Sequence, residues 1–231
     1  MTEKQKEFVI AVGGSLICPE EINFKFLKSF SDFIKKEIQN KKKFVLVVGG
    51  GGVARKYQEG ASRFGNISDE DKDIIGIQAT KVNAHFLRVI FQLKESREGF
   101  IFDKRFKFKN FAKSPLLIAS GWKPGNSTDF VAVQIAVDFG IKRVIILGKP
   151  DYVYTADPQK SKKAKPIEAM KWSEYLKMIP SSWKPGLHSP VDPLAAKLAK
   201  KKKIEVIVTN WNLRNFKNIL ENKKFKGTLI Y

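Results

Sequence analysis

Short apolar runs alternate with segments of helical period along the chain, and this alternation predicts the class of fold. The apolar runs predict strands at 8–12, 44–48, 116–119, 143–147, 205–208 and 227–231. Helical spacing of apolar residues predicts helices at 24–38, 69–93, 130–139, 173–178, from about 193 onward, and at 216–220. Regular strand–helix alternation is typical of a mainly parallel sheet with helices on both faces. We therefore expect an α/β domain.

The pattern also predicts how two segments after the second strand are arranged. The apolar residues expected on one buried face of helix 69–93 are Ile75, Ala79, Val82, Phe86, Val89 and Leu93. His85 falls within this pattern, which favours a packing role over a catalytic one. The next stretch, 94–114, alternates aromatic and basic residues, and this period of two predicts strands with one face in water.

Composition narrows the class of protein further. The chain has 231 residues, of which 43% are hydrophobic, and this supplies enough apolar side chains for a sizeable core and excludes a disordered chain. A single cysteine, Cys18, excludes an internal disulfide. The first apolar run ends in glycines, and no segment reaches the ~18 consecutive apolar residues of a membrane span. We expect a cytoplasmic protein with no membrane partner.

The charge balance raises the question of a polyanionic partner. Lys and Arg number 43 against 23 Asp and Glu, which gives a formal net charge of +20. The lysine runs at 160–165 and 200–203, and the aromatic-basic strip at 100–113, are where nucleic acid would bind. The simpler interpretation is a solvated lysine-rich surface, so nucleic acid stays an alternative.

Two glycine clusters follow the first two predicted strands. They are Gly13-Gly14 and the run from Gly49 to Gly52. Glycines at the carboxyl ends of parallel strands let the backbone approach a ligand, and amide groups at a helix start bind anions. Arg55 comes one helical turn after the second cluster and could grip phosphate oxygens, or could be a surface arginine. Tight turns alone are the other interpretation of the glycines.

Two other segments offer polar groups without forming a known catalytic set. The loop 121–129 ends in Asn126, Ser127, Thr128 and Asp129 at a predicted helix start, where the side chains could cap the helix or face an anion. No Walker P-loop is present, because Gly148-Lys149 is followed by proline. Of the two histidines, His188 is the better functional candidate, although it belongs to no recognisable triad.

Seven sequence strings, in order and spanning nearly the whole chain, resemble the amino-acid kinase superfamily and within it the archaeal-type uridylate kinases. The strings are VGGSLI at 12–17, VVGGGGVARKY at 47–57, DIIGIQATKVNA at 73–84, PGNSTDFVAVQIA at 124–136, VYTADP at 153–158, SPVDPLAAKLA at 189–199 and KGTLI at 226–230. The resemblance implies a three-layer αβα sandwich that transfers the γ-phosphoryl group of ATP, with Mg²⁺, to UMP. It further implies one domain over 1–231, with an acceptor-binding half at about 1–140 and an ATP-binding half at about 141–231, and a homo-oligomer, either a hexamer or a dimer.

The resemblance also assigns roles to individual residues. Residues expected on the ATP phosphates are Gly14, Ser15, Gly51 and Arg55. Residues expected around the ATP base, ribose or phosphates are Gly148, Lys149, Tyr154 and Asp157. Residues expected to hold UMP are Gly50, Asp73, Trp122, Lys123, Pro124, Gly125, Asn126, Ser127 and Thr128, with Asp73 accepting from the ribose hydroxyls. Arg55, Lys149 and Asp192 are the catalytic candidates, and no metal ligand is assigned.

The chain departs from the family pattern at three places. Many members carry a lysine where this chain has Ala11. The ATP loop reads Gly148 to Tyr152, GKPDY, in place of a threonine-containing sequence, although Lys149 keeps a cation there. Trp122 replaces a small polar residue at the mouth of the acceptor loop. These departures leave two alternatives open, which are a kinase for another small phosphate or carboxylate and a degenerate kinase fold that binds a polyanion.

Overall fold

The computed structural model describes residues 6–91, 101–108, 110–111, 114–182 and 189–231. The strands are β1 (Glu7–Val12), β2 (Lys43–Val48), β3 (Ile101–Phe102), β4 (Leu116–Ala119), β5 (Arg143–Leu147), β6 (Val153–Tyr154), β7 (Pro166–Ile167), β8 (Ala169–Met170), β9 (Glu205–Thr209) and β10 (Thr228–Ile230). The helices are α1 (Gly14–Ile17), α2 (Phe24–Gln39), α3 (Gly51–Ser62), α4 (Asp69–Phe91), α5 (Thr128–Phe139), α6 (Trp172–Met178), α7 (Pro193–Lys202) and α8 (Leu213–Leu220).

Within the described ranges, eight strands form one mainly parallel sheet in the order β3-β4-β2-β1-β5-β9-β10-β8. Only β10 pairs antiparallel with its neighbour β9, and β8 runs parallel to β10. The register places Val12 of β1 opposite both Val48 of β2 and Leu147 of β5, and Leu147 opposite Thr209 of β9. The carboxyl ends of these four strands therefore lie level at one edge of the sheet. The strands predicted from the apolar runs at 8–12, 44–48, 116–119, 143–147, 205–208 and 227–231 are confirmed, whereas the small β6–β7 hairpin and β8 are additions.

Helices cover both faces of this sheet, which confirms the αβα sandwich. On one face, Val9, Val45 and Val144 pack with apolar residues of α5, α6 and α7. On the other, residues such as Ile10 and Leu46 pack with α2, α4 and α8. Burial on both sides explains why these strands are continuously apolar. None of the helices within the described ranges is long and apolar enough to cross a membrane.

The buried face of α4 differs from the predicted one. Val82 and Val89 are 60% and 54% exposed, and His85 is exposed beside them, so the prediction that these positions pack is wrong. The residues that α4 buries are Ala79, Thr80, Asn83, Ala84, Leu87 and Phe91. The observed buried face is rotated by about one residue from the predicted one. The reason is that Thr80 and Asn83, whose polar side chains are typical of a surface, form hydrogen bonds with loops inside the protein. Residues 92 and 93 lie outside the described ranges.

The aromatic-basic strip agrees with the predicted strands only in part. Among its described residues, Ile101–Phe102 is the one strand, and residues 103–108 are irregular. The rings of Phe102 and Phe111 are buried in the core, where Phe102 meets Phe108 edge-on at 5.4 Å. The rings therefore anchor the strip to the domain, while basic side chains such as Arg105 remain at the surface. Residues 92–100, 109, 112 and 113 lie outside the described ranges.

Candidate functional site

The two glycine clusters contact each other at the carboxyl edge of the sheet. A methyl group added to Gly14 would lie 2.2 Å from the amide nitrogen of Gly51, and one added to Gly51 would lie 2.3 Å from the carbonyl oxygen of Gly14. Gly51 also has a φ of +63°, which disfavours every residue except glycine. The glycines are therefore required by close approach of two backbones, and turn formation alone does not explain them.

Backbone hydrogen bonds join the first glycine cluster to the loop after β5. The amide nitrogen of Gly13 donates to the carbonyl oxygen of Leu147 at 2.8 Å, and that of Gly148 donates to Thr209 at 2.9 Å. Ser15 lies in α1, directly after Gly14. The structure thus places Gly14, Ser15 and Gly148, which the sequence assigns to ATP, along one continuous edge.

Asn83 fixes the second glycine cluster and was missed in the sequence. This buried side chain of α4 donates from Nδ2 to the carbonyl oxygen of Gly49 at 2.8 Å and to that of Gly50 at 3.1 Å. Thr80, one turn earlier, accepts a 2.8 Å hydrogen bond from the amide nitrogen of Gly121. One helix therefore positions both the glycine cluster and the start of the acceptor loop. In the sequence, this positioning role is indicated only by the two polar residues Thr80 and Asn83 within a largely apolar segment of α4.

Asp73 contacts the acceptor loop. Its Oδ2 accepts a hydrogen bond of 2.7 Å from the amide nitrogen of Gly125, which has a φ of +81°. Burial raises the pKa of Asp73 above its ordinary value, partly opposed by this hydrogen bond. Within the turn, the amide nitrogen of Asn126 donates to Lys123 at 3.2 Å. The loop from Lys123 to Asn126 is thus held in place by a partly buried carboxylate.

Two helix N-termini meet through Ser127 and Asp192. Ser127 caps α5 by accepting from the amide nitrogen of Phe130 at 3.0 Å, and its hydroxyl donates to the Asp192 carboxylate. Asp192 is buried and caps α7, accepting from the amide nitrogens of Leu194 at 2.8 Å and Ala195 at 3.1 Å. Both residues therefore have capping roles. The contact between Ser127 and Asp192 brings the acceptor loop to the start of α7, and Thr128 is the first residue of α5.

Asp129 adds a second carboxylate beside Asp192. Burial, and then the neighbouring charge of Asp192, raise the pKa of Asp129 to about 8, opposed by a hydrogen bond from the Asp192 amide. Burial also raises the pKa of Asp192, opposed first by the Ser127 hydroxyl. Strongly raised pKa values of paired carboxyl groups are typical of functional sites. The sequence offered Asp129 only as one of four residues that could cap a helix or face an anion, because its proximity to Asp192 arises from the fold.

The two candidate catalytic cations are exposed. Arg55 lies in the second turn of α3 and Lys149 in the loop after β5. Within the described ranges, neither side chain has a hydrogen bond or ion pair with the protein. Their charges are therefore available to an incoming anion, although no direct contact joins them to one another.

Tyr154 and Asp157 are engaged in their own hairpin. The Tyr154 hydroxyl donates to Asp151 Oδ1 at 2.8 Å, and this hydrogen bond raises the pKa of the tyrosine. Asp157 is exposed, and its carboxylate accepts from the amide nitrogen of Gln159 at 2.9 Å. The described contacts do not join either side chain to the glycine clusters.

The departures from the family pattern have clear structural positions. Ala11 is buried in β1, so no cation occupies that place. Trp122 packs against Phe102, with ring centroids 6.5 Å apart, and its buried indole nitrogen has no partner in the described ranges. His188 and the second WKPG string at 183–186 lie outside those ranges.

The arrangement is suited to binding anions. Backbone amides of two glycine clusters and the N-terminus of α5 follow strands whose carboxyl ends lie at one sheet edge, and such groups bind phosphates. Arg55 in α3 and Lys149 in the loop after β5 add two exposed cations. No cluster of three potential metal ligands occurs among the described residues.

The sequence profile of the amino acid kinase family matches residues 6–210. The chain belongs to this family. Among curated relatives, the uridylate kinase of Pyrococcus abyssi is 32% identical over 87% of this chain and 88% of its own length. That of Thermococcus sibiricus is 31% identical over 96% of this chain and 98% of its own length. The crystal structure of uridylate kinase from Archaeoglobus fulgidus superimposes with a TM-score of 0.77 at 25% identity, covering 98% of this chain and all of that one.

Proposed function

We propose that the protein is a uridylate kinase that transfers the γ-phosphoryl group of ATP to UMP and forms UDP. The observation that carries this proposal is the contact of two glycine clusters beside an acceptor loop held by Asp73. Relatives that align over nearly the whole chain bear the same name. The groups at this sheet edge support a role in binding and aligning two nucleotide phosphates and in neutralising their charge.

The proposed reaction needs no general base. A UMP phosphate oxygen is already ionised at neutral pH, so catalysis consists of in-line alignment and stabilisation of the charge on the transferred group. Amide groups near Gly14 and Gly51 would contact the ATP phosphates, and Arg55 and Lys149 would neutralise the developing charge. The scarcity of histidines in this chain agrees with such a mechanism.

The two substrates would occupy opposite sides of the site, within an acceptor half at about 1–140 and an ATP half at about 141–231. The ATP residues proposed are Gly14, Ser15, Gly51, Arg55, Gly148, Lys149, Tyr154 and Asp157. The UMP residues proposed are Gly50, Asp73 and Trp122 to Thr128. Asp73 uses one oxygen for Gly125, which leaves the other for a ribose hydroxyl.

Mg²⁺ is the cofactor expected for ATP chemistry, and the donor set is compatible with it. Mg²⁺ is usually held by one or two carboxylates together with substrate phosphates. Asp192 already accepts several hydrogen bonds, so Asp129 is the carboxylate with more capacity for the ion. When bound, the ion would neutralise phosphate charge. Asp192 positions the two helix N-termini.

A phosphoryl-transfer assay tests the proposal. Radiolabelled ATP is incubated with each nucleoside monophosphate, and with uridine as a matched acceptor that lacks the phosphate. Labelled UDP formed faster than any other diphosphate is the expected result, with no product from uridine. Absence of transfer to any nucleoside monophosphate would overturn the assignment. The indole nitrogen of Trp122 has no hydrogen-bond partner among the described residues, which favours one second candidate, a kinase for another small phosphate. Transfer to such an acceptor would identify it.

A polyanion-binding role loses part of its support in the structure, although Phe106 of the same strip is 58% exposed. The rings of Phe102 and Phe111 are buried, so they are unavailable for stacking on nucleobases.

Self-association has better support, because Val82, Val89 and Ile74 form an exposed apolar stripe on α4. A homo-oligomer is therefore part of the proposal. Light scattering of the protein and of Val82→Glu tests it, and a smaller particle is expected for the variant.

A further inference from the structure

A cavity of about 430 Å³ opens at the amino edge of the sheet, where β9 begins. It lies between the start of α6, the end of α7 and Tyr231, which directly follows β10. Its volume is within the range of about 300–1,000 Å³ typical of small-molecule sites. β9 has five residues, so this edge is about 13 Å from the carboxyl edge with the proposed nucleotide site. Of the residues that the structure describes around the cavity, none is proposed to contact ATP or UMP.

The floor of the cavity is apolar and is fixed by hydrogen bonds. Trp172 and Ile204 are both 3% exposed. The indole nitrogen of Trp172 donates to the carbonyl oxygen of Ile204 at 3.0 Å, and its amide nitrogen donates to that of Tyr231 at 2.8 Å. Tyr231, which also lines the cavity, is 51% exposed. Because these side chains are already held in place, little entropy is lost when the apolar part of an organic ligand lies on them.

The charge around this floor is cationic. Lys171, Lys200 and Lys203 line the cavity and are exposed. The ammonium groups of Lys200 and Lys203 have no hydrogen bond or ion pair with the part of the chain that the structure describes. Glu205, the carboxylate among the described lining residues, is neutralised by Arg143 in an ion pair of 2.7 Å. Three lysines beside one neutralised carboxylate attract an anion.

Lys203 has a backbone conformation that a lysine disfavours. It ends α7 with a φ of +54° and a ψ of +46°, the left-handed region in which glycine is the usual residue at a helix end. Its amide nitrogen donates to the carbonyl oxygen of Lys200 at 3.3 Å, so one turn places both lysines beside the cavity. Strained backbone is concentrated at functional positions. An anion bound in the cavity would account for a lysine here.

We propose that this amino-edge cavity binds a small amphiphilic anion. The apolar ring or chain of the ligand lies on Trp172 and Ile204. Its phosphate or carboxylate head contacts the ammonium groups of Lys171, Lys200 and Lys203. Binding here does not depend on phosphoryl transfer, because the cavity and the proposed nucleotide site lie at opposite edges of the sheet.

Calorimetric titration of the full chain tests the site. AMP-PNP binding is measured first, so that failure of the kinase proposal is recorded as a separate result. 2-Naphthyl phosphate is then titrated into protein with excess AMP-PNP, Mg²⁺ and UMP, and 2-naphthol and inorganic phosphate serve as fragments that lack the head or the ring. We expect one naphthyl phosphate per chain, bound at least ~10-fold more tightly than either fragment. Binding no tighter than that of inorganic phosphate, or displacement of AMP-PNP, would overturn the proposal.

A carboxylate probe identifies the head group. 2-Naphthoate has the same ring and one negative charge in place of two. Tighter binding of naphthyl phosphate would assign a phosphate ligand, and equal or tighter binding of naphthoate would assign a carboxylate. Both results support the site, whereas binding of neither probe at millimolar concentration would contradict it.

Two matched variants separate the site from general charge effects. Lys41 follows α2 with a φ of +64° and is not among the residues that line the cavity. Lys203→Gly and Lys41→Gly each remove one charge and one left-handed lysine, so both variants should melt at a higher temperature than the parent. Only Lys203→Gly should weaken naphthyl phosphate binding, by about 10-fold, the scale of a lost charge-assisted hydrogen bond. Equal weakening in both variants, or unchanged binding in Lys203→Gly, would contradict a built site.

Discussion

Asn83 donates its side-chain amide to the carbonyl oxygen of Gly49 over a distance of 2.8 Å, and this bond connects a long helix to the glycine cluster after β2. The same nitrogen reaches Gly50 at 3.1 Å. The glycine cluster is therefore shaped from behind by α4 as well as by its own sequence. The geometry of the proposed phosphate site should depend on a residue that lies 34 positions away along the chain.

Replacing Asn83 tests this dependence. Asn83→Ala leaves a buried carbonyl oxygen at Gly49 and a partly buried one at Gly50 without this donor, which should cost about 1–3 kcal/mol of unfolding free energy. The melting temperature should fall by several degrees, and the KM for ATP should rise because the loop loses its support. Thermal unfolding and steady-state kinetics measure the two effects. Asn66→Ala, at an exposed position, is the control, and equal behaviour of both variants would contradict the positioning role.

The sequence predicted those parts of the site that depend on neighbouring residues in the chain, and it did not predict those that depend on residues distant in sequence. The glycines after β1 and β2 were predicted because a strand followed by glycine is a local signal, and the sheet brings both clusters to one edge. Asn83 was missed, and the pairing of Asp129 with Asp192 was not predicted, because each acts through a partner that is distant in sequence. The prediction of the buried face of α4 was wrong for the same reason. Thr80 and Asn83 bury polar atoms, and the spacing of apolar residues in a helix does not show where their hydrogen-bond partners lie.

Arg55 is expected to affect turnover without affecting stability. The side chain is exposed and has no protein partner in the described ranges, so Arg55→Gln should leave the melting temperature unchanged. If it stabilises the transferred phosphoryl group, turnover should fall about 10²-fold or more, as on loss of a charge-stabilising group. Arg63→Gln removes the same charge just after the end of α3 and should retain activity. Unchanged kinetics of Arg55→Gln would remove this residue from the proposed site.

The Asp129–Asp192 pair predicts a pH-dependent stability cost. The pKa of Asp129 is raised to about 8 in the folded state, above an ordinary value near 4 in the unfolded chain. The folded state therefore binds more protons within that window, and stability falls as pH rises from about 4 to about 8. Asp129→Asn should remove this penalty, so its gain in melting temperature should be larger at pH 8 than at pH 5.

Activity supplies the second readout for Asp129. If the carboxylate serves the reaction, Asp129→Asn should lose phosphoryl transfer while gaining stability at pH 8, which is the pattern expected when a functional group is held at a cost. Asp32→Asn, an exposed position on α2, controls for the amide substitution itself. A gain in melting temperature that is larger at pH 5 than at pH 8 would contradict the raised pKa.

Two glycines of α3 should respond in opposite directions to the same substitution. Gly51→Ala forces a side chain into a φ of +63° and places its methyl group 2.3 Å from the Gly14 carbonyl oxygen, so the variant should lose stability and nucleotide binding. Gly60 lies near the other end of the helix with nothing within 4 Å of an added methyl group. Gly60→Ala should therefore stabilise the protein by about 0.5–1 kcal/mol through helix propensity, with activity retained. Thermal unfolding with and without AMP-PNP measures both, and a Gly51→Ala protein that melts and binds like the parent would mean that the two glycine clusters are not in the close contact described.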